Sequence, residues 1–496
     1  MSKQITPTLT NKVYESTMHF FRELSKIPRS SGEEQKCADF FVDFAKKRGF
    51  SYKRTTDIIN GRQTCNVVIT KPGTPGYEDL DILILQSHMD MVCQKTKDST
   101  HDFATDPLEL IVKDNYMTAK DTTLGADDGI GVAMTLAFLD SNEISHPPLE
   151  ALFTSDEEAG MSGVQAIGVD FLQGRHLINI DSEEEGIFTY GCACGINVDI
   201  EIPATYESPA SEAGFLEIEV TGLVGGHSGG EIHKGRANSN RLLARVLNEI
   251  FNTCNIHLVS VVGGDKRNVI TRESSAKIAV PSTYIGKIKE IAKRMEATFS
   301  KEYKGIEDSI TVTVSEITKD ASKVLSAETT EKFILCLLVI PNGLQAMHSE
   351  IPELVGTSCN IGILYQDDTT LKLQSSVRSC NLEGRHYLTE QFRSLARLMG
   401  VGFTKGFGYP NWEPNPDSDL IKRFQKAYHA AYDGKEPKLK STNGGLECGF
   451  IRERFPDMDL ISCGPNVTGA HTIEETLDLT STKRTVGLLL HVLAQT

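Results

Sequence analysis

Positive charge is in short supply along this 496-residue chain: 51 Lys and Arg stand against 67 Asp and Glu, a formal net charge of −16. Such a balance lacks the basic footprint of a general nucleic-acid binder. It also offers no attraction to an anionic membrane surface. Long hydrophobic runs are missing as well. The longest, 333–340 and 486–490, fall far short of the roughly 20 residues a bilayer requires. The first 13 residues are polar, with no apolar stretch ahead of a small-residue cleavage site. Cysteine is sparse: 11 residues, no CxxC pair, the nearest couple being Cys192 and Cys194. Sparse cysteine without a secretion signal fits a reducing compartment, and the expectation is a cytoplasmic protein with free thiols and neither nucleic acid nor membrane as a partner.

What the chain does have is enough apolar residues, 39% against 24% charged, to build real cores. Its length exceeds one ordinary core, since domains cluster at about 100–200 residues, so two domains are expected. Residues 81–86 (DILILQ), 149–154 (LEALFT) and 176–180 (HLINI) are short apolar runs bounded by turns. They read as buried strands. Residues 129–139 (GIGVAMTLAFL) between the first two read as a helix. Strand, helix, strand at this spacing predicts a parallel sheet in an α/β domain. From about residue 195 the texture changes: 215–220, 309–314 and 370–377 alternate apolar and polar, as half-buried antiparallel strands do. After a helix at 386–399 the α/β texture returns, with a strand at 458–462 and a final helix at 481–494. The expected architecture is one α/β catalytic domain in two pieces, with a mostly parallel central sheet and an inserted α+β domain.

Chemistry-bearing residues cluster directly after these strands: His88 and Asp90, Asp156-Glu157-Glu158, and Asp181 onward, with His471 following the last strand. In open α/β sheets the ligand crevice lies at the carboxyl ends of the strands, so the clusters are expected to converge. In Ser-His-Met-Asp, residues two apart share a face, and a carboxylate behind an imidazole is the usual support of a metal-bound histidine. Adjacent acids in Leu-Gly-Ala-Asp-Asp-Gly start the predicted helix, and flanking glycines permit unusual backbone there. A buried strand ending in three acids concentrates negative charge that is costly unless cations neutralise it. Each piece alone also fits a plainer account: a surface loop, a helix cap, a solvated acidic turn. Together, imidazole and carboxylate without thiolate suit zinc or manganese. Their number allows two metals sharing a bridging group, with Glu157, adjacent to Glu158, as general base. The glycines at 225–230 form no phosphate loop, because no Lys-Ser/Thr follows them.

The ordered motifs SHMD, LGADDGIG, TSDEEAGMSG, NIDSEEEG, GGHSGGEIHKGRAN, GGLECG and GAHTIEE resemble those of the dinuclear zinc metallopeptidase family that includes peptidase V, carnosinase, carboxypeptidase G and aminoacylase. The likeness runs over essentially the whole chain and is strongest to the aminoacyl-histidine dipeptidase branch. The resemblance implies two zinc ions per subunit, replaceable by manganese or cobalt. His88 and Asp181 would hold one, Glu158 and His471 the other, and Asp127 would bridge them. Asp90 would orient His88, Glu157 would be the proton shuttle, and the Asp127–Asp128 peptide would be cis. Residues 191–395 would be a lid or dimerisation domain between catalytic pieces 1–190 and 396–496. In that lid His227 would stabilise the oxyanion, Asn268 and Arg378 would grip the substrate's terminal carboxylate, and the Gly444–Gly449 loop, Gly445 included, would lie near the same carboxylate.

The implied activity is metal-dependent hydrolysis of dipeptides, including Xaa-His dipeptides such as carnosine. A water shared by the two metals would attack after losing a proton to Glu157. A carboxylate bound at a fixed distance from the metals would limit the substrate to dipeptides. Lid closure would exclude water and bring His227 and Arg378 to the substrate, and a homodimer would form through the lid. Two other readings stay open on the residues alone: an N-acyl amino acid amidohydrolase of the same family, and a metal-stabilised binding protein without turnover.

Overall fold

Four short, largely buried strands form the middle of an eight-stranded sheet: β1 (Leu83–His88), β2 (Leu149–Thr154), β3 (His176–Asn179) and β4 (Asp459–Ser462). The computed structural model describes residues 5–318, 322–432 and 434–495. In space the order is β2-β1-β3-β4, and all three contacts are parallel. Every residue of β1 and β2 is buried, which is why they read as continuous apolar runs rather than alternating ones. Antiparallel strands flank this centre: Val67–Lys71 against β2, and Ile187–Cys192 against β4. The eight-stranded sheet is therefore mixed, with a parallel core.

The helix Ala126–Asp140 packs on β1 and on the helix Pro7–Leu24. From Asp128 to Leu139 every residue is buried, so it is apolar on all sides, as a core helix should be. Its first turn is not helical: Asp127 has φ −79° and ψ 113°, and Asp128 φ −102° and ψ 31°. Regular helix begins at Gly129. Only glycine fits at 131, where a Cβ would stand 2.3 Å from Asp128 Oδ1 and 2.6 Å from the Ile180 carbonyl. This close approach seats the helix start against the ends of β1 and β3.

The chain divides into two compact units: Met1–Cys192 with Trp412–Ser441 and Leu446–Thr496, and Ala193–Asn411 with Thr442–Gly445. The second unit is built on a nine-stranded sheet whose strands pair antiparallel among the described residues. Its strands tend to alternate buried and half-buried residues, as parts of Cys194–Pro203 and Ser274–Pro281 do. One face carries the helices Ser239–Phe251, Ile285–Glu302, Ala327–Val339 and Leu382–Met399 over a core of Leu, Ile, Val and Phe. The strand Gly402–Tyr409 pairs with Cys194–Pro203 and extends this sheet beyond residue 395. Among the described residues no helix is long and apolar enough to cross a membrane.

Candidate functional site

The parallel strands of the first unit deliver their terminal residues to one place. His88 ends β1, Glu157 and Glu158 follow β2, Asp181 follows β3, and His471 stands in the loop after β4. The decisive contact is Asp127. Its Oδ1 lies 3.1 Å from His88 Nε2, and its Oδ2 lies 3.1 Å from His471 Nε2. One carboxylate thus faces two imidazoles through different oxygens, an arrangement open to bridging two cations. Asp181 Oδ1 is 3.5 Å from the same His88 nitrogen, and Glu158 Oε2 is 2.9 Å from the His471 nitrogen. The possible ligand atoms of His88, Asp127 and Asp181 all lie within 4.8 Å of one another, and so do those of Asp127, Glu158 and His471. Glu157 joins a third such group with His88 and Glu158.

Asp90 lies behind this cluster and is wholly buried. Its Oδ1 is 3.3 Å from His88 Nδ1 and accepts the Glu157 N–H at 3.0 Å. Its Oδ2 accepts the Glu158 N–H at 3.1 Å and the Ser31 hydroxyl at 2.7 Å. One side chain thereby stands beside an imidazole and holds the backbone of both glutamates. The Asp127–Asp128 peptide is cis, and His471 has φ +65°. Asp128 is turned away from Asp127, and its Oδ2 accepts the His88 N–H at 3.2 Å.

Asp127, Glu157, Glu158 and Asp181 converge on only two imidazoles, with Asp90, Asp128 and Glu447 buried around them. Glu158 Oε1 is buried with no hydrogen-bond partner. Buried carboxylates in that number are expensive without compensating cations. Protons take up the imbalance when none is bound. Burial first, then the Asp181, Glu158 and Glu447 carboxylates, push Glu157 well above the usual range. Burial lifts Asp181 to about 6. Burial alone would also raise Asp127, but hydrogen bonds from His471 and His88 hold it far below its ordinary value. His471 is pushed up to about 11 by its bonds to Asp127 and Glu158. Nitrogen and oxygen donors, converging and charge-rich, are the donor set of a two-cation site.

Glu447 sits beneath the cluster. Its Oε2 accepts from Gln86 Nε2 and Thr154 Oγ1, both at 2.7 Å, tying the ends of β1 and β2 together. Burial pushes this carboxyl up to about 8.

The remaining expected residues, His227, Asn268, Arg378 and Gly445, all lie in the second unit and are connected there. His227 and Val269 are paired in a two-stranded ribbon, and the Ser228 N–H donates to the Asn268 carbonyl at 2.8 Å. Asn360 Nδ2 donates to the carbonyls of Arg267 and Val269, bracketing exposed Asn268 from both sides. Arg378 Nη1 donates to Tyr409 Oη at 2.7 Å and to the Asn443 carbonyl at 2.9 Å. Asn443 in turn donates to the Gly229 carbonyl at 3.1 Å, two residues from His227. A Cβ on Gly445 would strike the Tyr409 ring at 2.5 Å. Partial enclosure, with the Arg378 charge, lowers the His227 pKa. Tyr409 and Asn443 went unread in the sequence. The one hint is that Asn443 directly precedes the Gly444–Gly449 motif.

The motifs and the geometry agree with comparisons to known proteins. Residues 84–495 match the model of peptidase family M20/M25/M40. The cytosol non-specific dipeptidase of Escherichia coli strain K12 is 34% identical over 477 residues, 96% of each chain. The crystal structure of aminoacylhistidine dipeptidase from Vibrio alginolyticus superposes with a TM-score of 0.86 at 34% identity, covering 99% of this chain and 97% of that one. Human carnosine dipeptidase 1 shares the fold at 12% identity, with a TM-score of 0.51 over 98% of this chain and 99% of that one. With the match spanning most of the chain and these relatives covered almost end to end, the chain belongs to peptidase family M20/M25/M40.

Proposed function

We propose that this protein is a metal-dependent dipeptidase that cleaves dipeptides, Xaa-His dipeptides such as carnosine among them. The observation that carries the reading is Asp127 addressing His88 and His471 through separate oxygens, with Glu157 beside them. The substrate class comes from the two relatives at 34% identity, which are named as dipeptidases. His88 and Asp181 would hold one zinc ion, Glu158 and His471 the other, with Asp127 available to both; manganese or cobalt could substitute. Bound there, a pair of such cations polarises a carbonyl and lowers the pKa of water.

The side chains do the rest. Glu157 takes a proton from the attacking water and returns it to the departing amine. Asp90 fixes the His88 ring and, through two N–H bonds, the backbone from which Glu157 and Glu158 project. In the second unit, Arg378 offers a planar fork suited to a carboxylate, with Asn268 as its partner and Gly445 in the adjoining loop. His227 supplies a donor for developing negative charge on the carbonyl oxygen. On this reading the second unit is a lid through which two copies associate, and the protein works in the cytoplasm.

A substrate panel on metal-loaded protein tests the proposal: carnosine, a second dipeptide, a tripeptide, and an N-acetylated amino acid. Dipeptides should turn over and the tripeptide should not. Preferential cleavage of the acetylated amino acid would make the protein an acyl amino acid amidohydrolase instead. No cleavage of any of the four, with metal bound, would leave a binding protein. Glu157→Gln should retain both metal ions and lose about 10²–10⁴-fold in kcat; an unchanged kcat refutes the base assignment.

A further inference from the structure

A second buried carboxylate, absent from the ligand set, holds the segment that carries Asp127. Glu475 is 2% exposed and receives four consecutive backbone N–H groups. Its Oε2 accepts from Leu124 and Gly125, both at 2.8 Å, and its Oε1 accepts from Ala126 at 2.7 Å and Asp127 at 3.2 Å. These donors stand at the start of a helix whose first turn is not helical, so no intrahelical acceptor is available to them. Gly125, at φ +66°, lets the four N–H groups converge in one concavity. The adjacent Glu474 is exposed, so one of two neighbouring glutamates is committed to the loop.

The opposite side of the same loop meets a buried cation. Arg29 is also 2% exposed. Its Nη2 donates to the Gly125 carbonyl at 2.5 Å, and its Nη1 to the carbonyls of Met89 and Asp90 at 3.1 and 2.8 Å. The Gly125 residue is thus gripped by its N–H from Glu475 and by its C=O from Arg29. A Cβ at this position would collide with Arg29 Nη2 at 2.4 Å. Through Arg29 the loop is tied to the residues after His88. Through Glu475 it is tied to the segment that holds His471, four residues earlier.

We propose that Glu475 is a positioning residue which, with Arg29, sets where the Asp127 carboxylate stands between His88 and His471, and so sets affinity for the cation pair. The proposal rests on the dinuclear reading above. A carboxylate is required because both of its oxygens are acceptors only; a carboxamide would turn an NH₂ toward two of the four donors. Support of this kind behind metal ligands is typically worth about 10–100-fold in metal affinity.

The test is a cobalt(II) titration of the metal-free full-length protein against a competing chromophoric chelator, with the visible cobalt spectrum recorded. In Glu475→Gln at least one of two cobalt ions should bind about 10–100-fold more weakly, with an altered visible band. Glu475→Asp, which restores the charge, should recover part of the affinity. Parent-like affinity for both ions and a parent-like spectrum, alongside a lowered melting temperature, would make Glu475 a fold brace only and overturn the proposal. Should Glu475→Gln not fold, Arg29→Lys replaces the three-carbonyl fork with a single ammonium and is read the same way: unchanged cobalt affinity overturns the proposal, and a loss within that range supports it. Failure of the dinuclear reading looks different, because the parent protein itself would then bind fewer than two cobalt ions, and the proposal would fall with it.

Discussion

The two groups of candidate residues are built on opposite physical principles. In the first unit the cluster is acid-rich and, apart from the half-exposed His471, largely buried. The side chains of His88, Asp127, Glu158 and Asp181 are 1%, 11%, 6% and 8% exposed, and every one has a neighbour that fixes it. In the second unit Asn268 and His227 are exposed, and the fixed charge is a cation, Arg378, held by a phenol and a carbonyl. The first arrangement is unstable unless something positive fills it. The second presents the Arg378 guanidinium, whose hydrogen bonds run to a phenol and a carbonyl. On the proposed reading, a cation site on a parallel sheet and an anion grip on an antiparallel one would serve a peptidase whose substrates carry a free carboxylate.

The contrast can be broken most sharply by removing metal. Chelation should abolish turnover and also lower stability, because ions that bind only the folded state stabilise it by about 2.7 kcal/mol at 100 times Kd. Urea unfolding with and without chelator measures this, and identical curves would show that the acid cluster needs no cation. The next effect lies in the other unit. Arg378→Ala should cost about 10–100-fold in kcat/KM on free dipeptides, as loss of a charged hydrogen-bond partner does, while the chelator-induced loss of stability stays as in the parent. If the parent cleaves amidated dipeptides as well as free ones, the carboxylate grip is wrong. The smallest effect should come from Tyr409→Phe. It removes one neutral partner of Arg378, worth about 0.5–1.5 kcal/mol, and should raise KM for free dipeptides several-fold with little change in kcat. Loss of kcat instead would place Tyr409 nearer the chemistry than the arginine it supports.

The same contrast explains how much the sequence disclosed. Strands β1 to β3 were legible because burial on both faces leaves unbroken apolar runs, and their polar ends then stand out as SHMD, DEEAG and DSEEEG. The start of the 126–140 helix was legible as unusual from its flanking glycines. Antiparallel strands share their alternation with many surface strands, so nothing local marks Arg378 as more than a surface residue; it came from the motif resemblance. Tyr409 lies at the end of a strand that is mostly exposed, where no periodicity separates a functional tyrosine from a solvent-facing one. Glu475 was hidden for another reason. Glu474 and Glu475 are chemically identical in the sequence, and only the path of the chain decides which one turns inward.

Asp90 carries a consequence for genetics as well as chemistry. Because one carboxylate serves the His88 ring and the amides of both glutamates, replacing it disturbs three neighbours at once, and their losses are shared rather than separate. Double replacements pairing Asp90 with His88 or Glu158 should therefore cost much less than the sum of the single ones. A library screened one position at a time would credit each of these residues with damage that belongs to the group.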